Sequence, residues 1–179
     1  IWFEINNKVR LLKKYNLEED KFYIGSFQRD TEGSDLKSPK LIKGPDQFVE
    51  IVKHFHEEKN NVLVVLTGKR RQYVMSELEK AEIPYKYFEM VTFEELNELY
   101  NVLDLYIVSS RIEGGPQAIM ECAITKTPII STDVGIASEI LSEKSIFDMS
   151  NFQKAKPDLE YAFQKTKTFN TSNGFIEFR

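Results

Sequence analysis

Short runs of apolar residues alternate along this chain with stretches in which apolar positions recur every three or four residues. The runs at 22–25, 62–66, 85–90, 105–109, 128–131 and near 146–147 read as strands. Val62-Leu63-Val64-Val65-Leu66 has no polar alternation, the pattern of a strand covered on both faces. Helical spacing occupies 9–15, 47–58, 72–81, a segment beginning at Phe93, 117–125 and 137–141. In the second of these, Phe48, Ile51, Val52 and Phe55 share one face. Thr92, with Glu95 three residues on, forms a capping box, and Pro116 is expected in the first turn of the helix that follows it. Residues 28–39, with Gly33, Ser34, Asp35 and Ser38, read as a polar surface loop.

Buried strands alternating with helices of about ten residues imply parallel βαβ units. The expected fold class is α/β: a Rossmann-like parallel sheet with helices on both faces. The regular core spans about 20–148, and 149–179 holds a C-terminal helix at 157–167 and a polar tail, Asn170-Thr171-Ser172-Asn173-Gly174. In such a fold ligands bind at the carboxyl ends of the strands. Gly25, Gly68, Glu89 and the 109–115 loop all fall at that edge.

Composition narrows the classes. A chain of 179 residues fits a single domain, and 41% hydrophobic with 29% charged residues is ordinary for a globular protein. A net charge of −4 argues against nucleic acid as a partner. The lone Cys122 sits among apolar helix positions and reads as a packed thiol in a reducing compartment, so the expected location is cytoplasmic. No apolar run has the length of a membrane span, although Lys8, Arg10, Lys13 and Lys14 leave peripheral contact with anionic lipid as an alternative to a solvated face. The chain opens on Ile1-Trp2-Phe3-Glu4 without an initiator Met, which suggests an excised part of a larger protein.

The densest chemistry lies in Ser109-Ser110-Arg111-Ile112-Glu113-Gly114-Gly115-Pro116-Gln117-Ala118-Ile119-Met120-Glu121. A strand, a Gly114-Gly115 loop and a helix start at Pro116 and Gln117 present free N–H groups and a positive dipole end to an anion. Glu113 and Glu121 stand on either side. An anion pocket rimmed by acids suits a ligand that carries both phosphate and hydroxyl groups, such as a nucleotide sugar. Arg29 and Lys43 flank the polar loop after the first strand and suit a diphosphate clamp: a planar fork and a point charge. His54 and His56, two apart on a helix, do not face each other, so no metal site is expected.

Glu113 to Glu121 resembles the E-x7-E motif of the retaining glycosyltransferases of family 4, which have the GT-B fold. Phe93-Glu94-Glu95-Leu96 through Tyr100, Asp104 and Ser109-Ser110 is similar to the stretch leading into that motif. Thr127 to Gly135, with Glu139-Ile140, is similar to the stretch after it, and Gly25 with Arg29, then Lys43-Gly44, resembles the family's glycine–arginine and lysine–glycine phrases. Glu89 and Ile136 stand where the family has glycines.

The resemblance covers about residues 8–148 and implies the donor-binding, C-terminal half of a two-domain enzyme, with an acceptor held by an N-terminal domain. Arg29 and Lys43 would neutralise the donor diphosphate, N–H groups around Gly115 to Gln117 would hold phosphate and sugar, and Glu113 would meet the sugar near its anomeric carbon. Glu121 would bind the ribose, and the base would lie by Met90 and Val91. No metal or other cofactor is implied, and the half alone would bind donor without transferring it. Two other readings of the same fold are a GT-B nucleotide-sugar epimerase and a non-catalytic interaction domain, either a glycosyltransferase-like half or a receiver-like one.

Overall fold

The computed structural model describes residues 1–171. Six strands run parallel in the order β3-β2-β1-β4-β5-β6: β1 Phe22–Ser26, β2 Val62–Thr67, β3 Tyr85–Phe88, β4 Leu105–Val108, β5 Ile129–Thr132 and β6 Ile146–Phe147. The helices are α1 Lys8–Lys14, α2 Pro45–Lys59, α3 Gln72–Lys80, α4 Phe93–Val102, α5 Gln117–Thr125, α6 Ala137–Ile140 and α7 Leu159–Thr171. The expected Rossmann-like α/β class is what the chain adopts.

Period-two alternation divides the core between the two sheet faces. Tyr23, Tyr106 and Val108 join Leu99, Tyr100 and Ile119 under α1, α4 and α5. Ile24, Leu105 and Ile107 join Phe48, Ile51 and Leu78 under α2 and α3. All six residues of β2 are buried, as its unbroken apolar run requires. Strand order reverses between β1 and β4, which pair directly through Ile24–Leu105 and Gly25–Tyr106. A crevice opens beyond their carboxyl ends at such a switch point.

Several boundaries differ from expectation. β3 stops at Phe88, two residues early, and Glu89 and Met90 lie in the bend before α4. The Thr92–Glu95 capping box forms as expected. α2 starts at Pro45, which needs no N–H partner there. Pro116 is not in the first turn of α5 but is its N-cap, extended at ψ 110°. α7 runs to Thr171 rather than 167, so Asn170 and Thr171 are helical; the remaining tail expectation, 172–174, lies outside the described residues. Among the described residues no helix is long and apolar enough to cross a membrane.

Candidate active site

The loop after β1 and the loop after β4 meet at the switch point, and named contacts join them. Arg111 and Ile112 N–H groups both donate to the Ile42 carbonyl, at 2.9 and 3.3 Å. The Arg111 guanidinium holds both oxygens of Asp46 at 2.6 and 2.7 Å, a bidentate pair. Gln47 donates to the Ser109 carbonyl (2.7 Å), and Ser109 Oγ donates to the Gly44 carbonyl (2.8 Å). Gly44 permits this approach. Its φ is +60°, and a Cβ there would lie 1.8 Å from the Ser109 carbonyl oxygen.

That seam brings Lys43 onto Glu113, and the two side chains form an ion pair. Glu113 also accepts from Ser110 Oγ at 2.7 Å, and Gln28 Nε2 donates to the Lys43 carbonyl at 3.0 Å. A cation, a carboxylate and two neutral hydrogen-bonding groups therefore converge at the end of β4.

Beside them lies a cleft of about 380 Å³. Phe27, Tyr100 and Tyr106 pack against one another along its wall, with ring centroids 4.9–5.4 Å apart. Glu113, Gly115, Pro116 and Gln117 form one side, and Phe93 and Leu96 of α4 the other. Glu121, one turn into α5, points to the same space and accepts from the Tyr100 hydroxyl at 2.7 Å. Burial pushes the Glu121 carboxyl above its usual range, and the Tyr100 bond partly offsets this. Gly135 (φ +54°) backs the loop: a Cβ there would meet Pro116 Cδ at 2.8 Å and the Gly114 carbonyl at 2.9 Å.

The sequence candidates are thus only partly brought together. Glu113, Gly115, Pro116, Gln117 and Glu121 share the cleft, and Lys43 reaches its edge through Glu113. Gly114 sits in the same loop, packed near Gly135. Arg29 does not join Lys43: its side chain is exposed and its Nε donates to the Thr31 carbonyl of its own loop at 2.7 Å. Gly25 lies inside β1 and is a packing glycine, since a Cβ would stand 2.3 Å from a Leu103 methyl. Met90 is 71% exposed in the bend before α4, and Val91 is half-buried against the core.

Residues that sequence reasoning passed over also matter. Phe27 and Gln28 directly follow β1 at the switch point, which was the available signal. Tyr100 entered only as part of the family-like stretch, and Tyr106 only as a position within the apolar run of β4. Arg71, fully buried, donates to Asp30 Oδ2 (3.0 Å) and to the Gln28 carbonyl, fastening the 28–31 turn to the start of α3. Its neighbour Arg70 donates to the Gly33 carbonyl (2.7 Å) while Lys69 faces solvent. Lys8 and Lys14 of the basic N-terminal face are occupied by Asp104 and Glu98. Among the described residues no group of three or more His, Cys, Asp or Glu side chains is arranged to hold a metal.

Known proteins share this architecture at low sequence identity. The C-terminal domain of LpcC, a glycosyl transferase group 1 family protein from Francisella tularensis, superposes with a TM-score of 0.72 at 14% identity, over 94% of this chain and 95% of that one. Sucrose-phosphate synthase from Thermosynechococcus elongatus gives 0.70 at 13% identity, over 93% of this chain and 45% of that one. Anabaena Alr3699/HepE, solved in complex with UDP-glucose, gives 0.63 at 15% identity, over 95% and 56%. The chain thus spans about half the length of the latter two. At these identities the likeness is one of fold. No curated protein matches by sequence. The model of the family described as "Glycosyl transferases group 1" matches residues 38–168, a span running from the loop before Lys43 through β4, both acids and most of α7, and the chain belongs to that family.

Proposed function

We propose that this chain is the donor-binding half of a family 4 retaining glycosyltransferase that uses a nucleoside diphosphate sugar. One observation carries the reading. Glu113 with its Lys43 partner, the start of α5 and Glu121 all border one cleft at the β1/β4 switch point. The Anabaena neighbour, solved with UDP-glucose and with UDP, supports a donor of this class.

In this reading the diphosphate draws Lys43 away from Glu113 and lies against the N–H groups of Gly115 and Gln117 at the positive end of α5. Glu113, freed on one oxygen and still held by Ser110, accepts from sugar hydroxyls near the anomeric carbon. Glu121 uses the oxygen not engaged by Tyr100 to accept from the ribose diol. The base sits toward Met90 and Val91. As the glycosidic bond breaks, charge grows on the departing diphosphate and Lys43 stabilises it. Arg29 joins only by leaving the Thr31 carbonyl, a rotation open to an exposed side chain. The nucleophile is an acceptor hydroxyl presented by an N-terminal domain across the cleft, and the sugar is transferred with retention. The positive charge comes from protein groups, so no cofactor is part of the scheme. The enzyme is placed in the cytoplasm, with the acceptor deciding any membrane association.

Calorimetric titration with UDP- and GDP-sugars tests this. Saturable binding of one of them is expected. Lys43→Ala removes a charge-assisted contact of roughly 1.5–3 kcal/mol and should weaken it by about 10- to 150-fold. Folded protein that binds none of these donors would overturn the reading.

A further inference from the structure

Residues 1–5 lie along α4 instead of joining the sheet, and the contacts are specific. Phe3 N–H donates to Asn97 Oδ1 at 3.0 Å and Ile5 N–H to Asn101 Oδ1 at 2.7 Å, while Asn101 Nδ2 donates back to the Phe3 carbonyl at 3.1 Å. Asn97 is only 1% exposed, so without the segment its carbonyl oxygen loses its partner in a buried place. Glu4 pairs with Lys126, just past the end of α5, at 2.7 Å. The segment is therefore tied both to α4 and to the helix that carries Glu121.

Its one inward aromatic is Trp2. The indole stands edge-on to Tyr100, with centroids 5.7 Å apart, and to Phe93 at 6.5 Å. Both rings line the cleft, and the Tyr100 hydroxyl holds Glu121 Oε2. Tyr100 is thus boxed by Phe27, Tyr106 and Trp2, of which Trp2 alone comes from outside the βαβ framework. A tyrosine that fixes one carboxylate oxygen leaves the other aimed at the ligand, so the rotamer of Glu121 depends on where the Tyr100 ring rests.

We propose that residues 1–5 act as a positioning strap: Trp2 seats Tyr100, Tyr100 orients Glu121, and nucleotide in the cleft and strap on α4 stabilise each other. The inference rests on the reading that the cleft takes a nucleoside diphosphate. Trp2 and Tyr100 are positioning residues, and Glu121 is the group that touches the ligand. Coupling of this kind is reciprocal, so a ligand that favours the seated strap is bound more tightly because of it.

The test uses UDP and GDP as probes on the whole chain, in which Trp2 is the only tryptophan. Calorimetry gives the affinity, and Trp2 emission and hydrogen exchange at the Phe3 and Ile5 amides report the strap. Binding is expected to shift Trp2 emission along the calorimetric isotherm and to slow exchange at both amides. Tyr100→Phe, which keeps the ring and deletes one hydroxyl, and Trp2→Ala should each weaken binding by about 3- to 10-fold, the loss of roughly one hydrogen bond's net contribution. The double variant should lose scarcely more than the weaker-binding single one, because both act through Glu121. If Trp2→Ala proves unstable, Trp2→Phe should retain most of the affinity. Wild-type binding of UDP or GDP with unchanged affinity in both single variants and unaltered exchange at Phe3 and Ile5 would overturn the strap alone. Failure of the wild-type chain to bind either nucleotide would overturn the donor reading, and the strap with it.

Discussion

Replacing Arg71 by Met probes the buried support of the site. The guanidinium is 1% exposed, pairs with Asp30 (2% exposed) and donates to the Gln28 and Thr67 carbonyls. Met keeps most of the aliphatic stem, so the loss is mainly charge and hydrogen bonds. Asp30 would be left as a buried carboxylate without its cation, a change that costs about 3–5 kcal/mol. For a domain of this size each kcal/mol lowers Tm by about 2–4 °C, so a fall of roughly 6–20 °C is expected. Urea unfolding at pH 7 measures the free energy directly. The same variant frees the 28–31 turn, and with it Gln28, whose amide holds the Lys43 carbonyl, so donor affinity should drop as well. Asp30→Leu combined with Arg71→Met removes both charges and should be more stable than Arg71→Met alone. A folded Arg71→Met protein that loses less than about 1 kcal/mol, or a double variant less stable than that single one, would refute the reasoning.

Three further outcomes follow from the same geometry. Burial pushes the Asp30 carboxyl up to about 6 despite Arg71, with the Tyr73 and Val74 N–H groups at the start of α3 also pulling it down. A carboxyl raised above its unfolded value costs stability above about pH 6 and regains it as pH falls. Wild type should therefore gain about 1 kcal/mol on Asp30→Asn between pH 7 and pH 5, read from paired urea titrations; a constant difference would contradict the burial argument. The Glu121 carboxyl is also raised by burial, so donor affinity should fall on mild acidification, and at a higher pH in Tyr100→Phe, where the bond favouring the charged form is gone. Calorimetry across pH shows the order of the two midpoints, and a reversed order would exclude this role for Tyr100. Gly44→Ala places a Cβ against the Ser109 carbonyl at positive φ and should destabilise by about 2 kcal/mol or more in thermal unfolding, whereas Gly68→Ala, also at positive φ but in open space, should cost about half that.

The sheet was readable because its inner strands β2 and β4 are buried along their whole length and so carry nearly unbroken apolar runs. The site was readable where chemistry follows such a strand: Glu113, Gly115 and Glu121 needed only the end of β4 and the helical repeat to share an edge. Side-chain direction was harder. Arg29 was expected to face the ligand, yet its loop doubles back through the Thr31–Pro39 bridge and places a carbonyl within its reach. The Lys43–Glu113 pair spans 70 residues and depends on the Gly44 seam, which no local pattern encodes. Arg71 sits in a polar Lys69-Arg70-Arg71 run that suggests solvent, and only the packed turn makes one of the three a buried strut.

Glycines divide by what would meet an added methyl group. Gly25, Gly44 and Gly135 are hemmed in by the protein itself, so their absence of a side chain is explained by packing. Gly114 and Gly115 have no atom within 4 Å of such a group, and neither has a positive φ. Packing gives no reason for glycine at 115, yet it stands at the cleft wall before α5. A close approach by a ligand would supply the reason. Gly115→Ala should then leave stability within about 0.5 kcal/mol of wild type, as for a surface change without strain. Affinity for UDP should fall at least roughly 10-fold, because a methyl group pushes the phosphate off the N–H groups that hold it, and each such bond to a charged group contributes about 1.5–3 kcal/mol. Thermal unfolding beside calorimetry separates the two effects. Equal loss in both would mean that the loop is packed more tightly than its geometry indicates. A stable variant with undiminished UDP affinity would place the phosphate elsewhere than the Gly115–Gln117 turn.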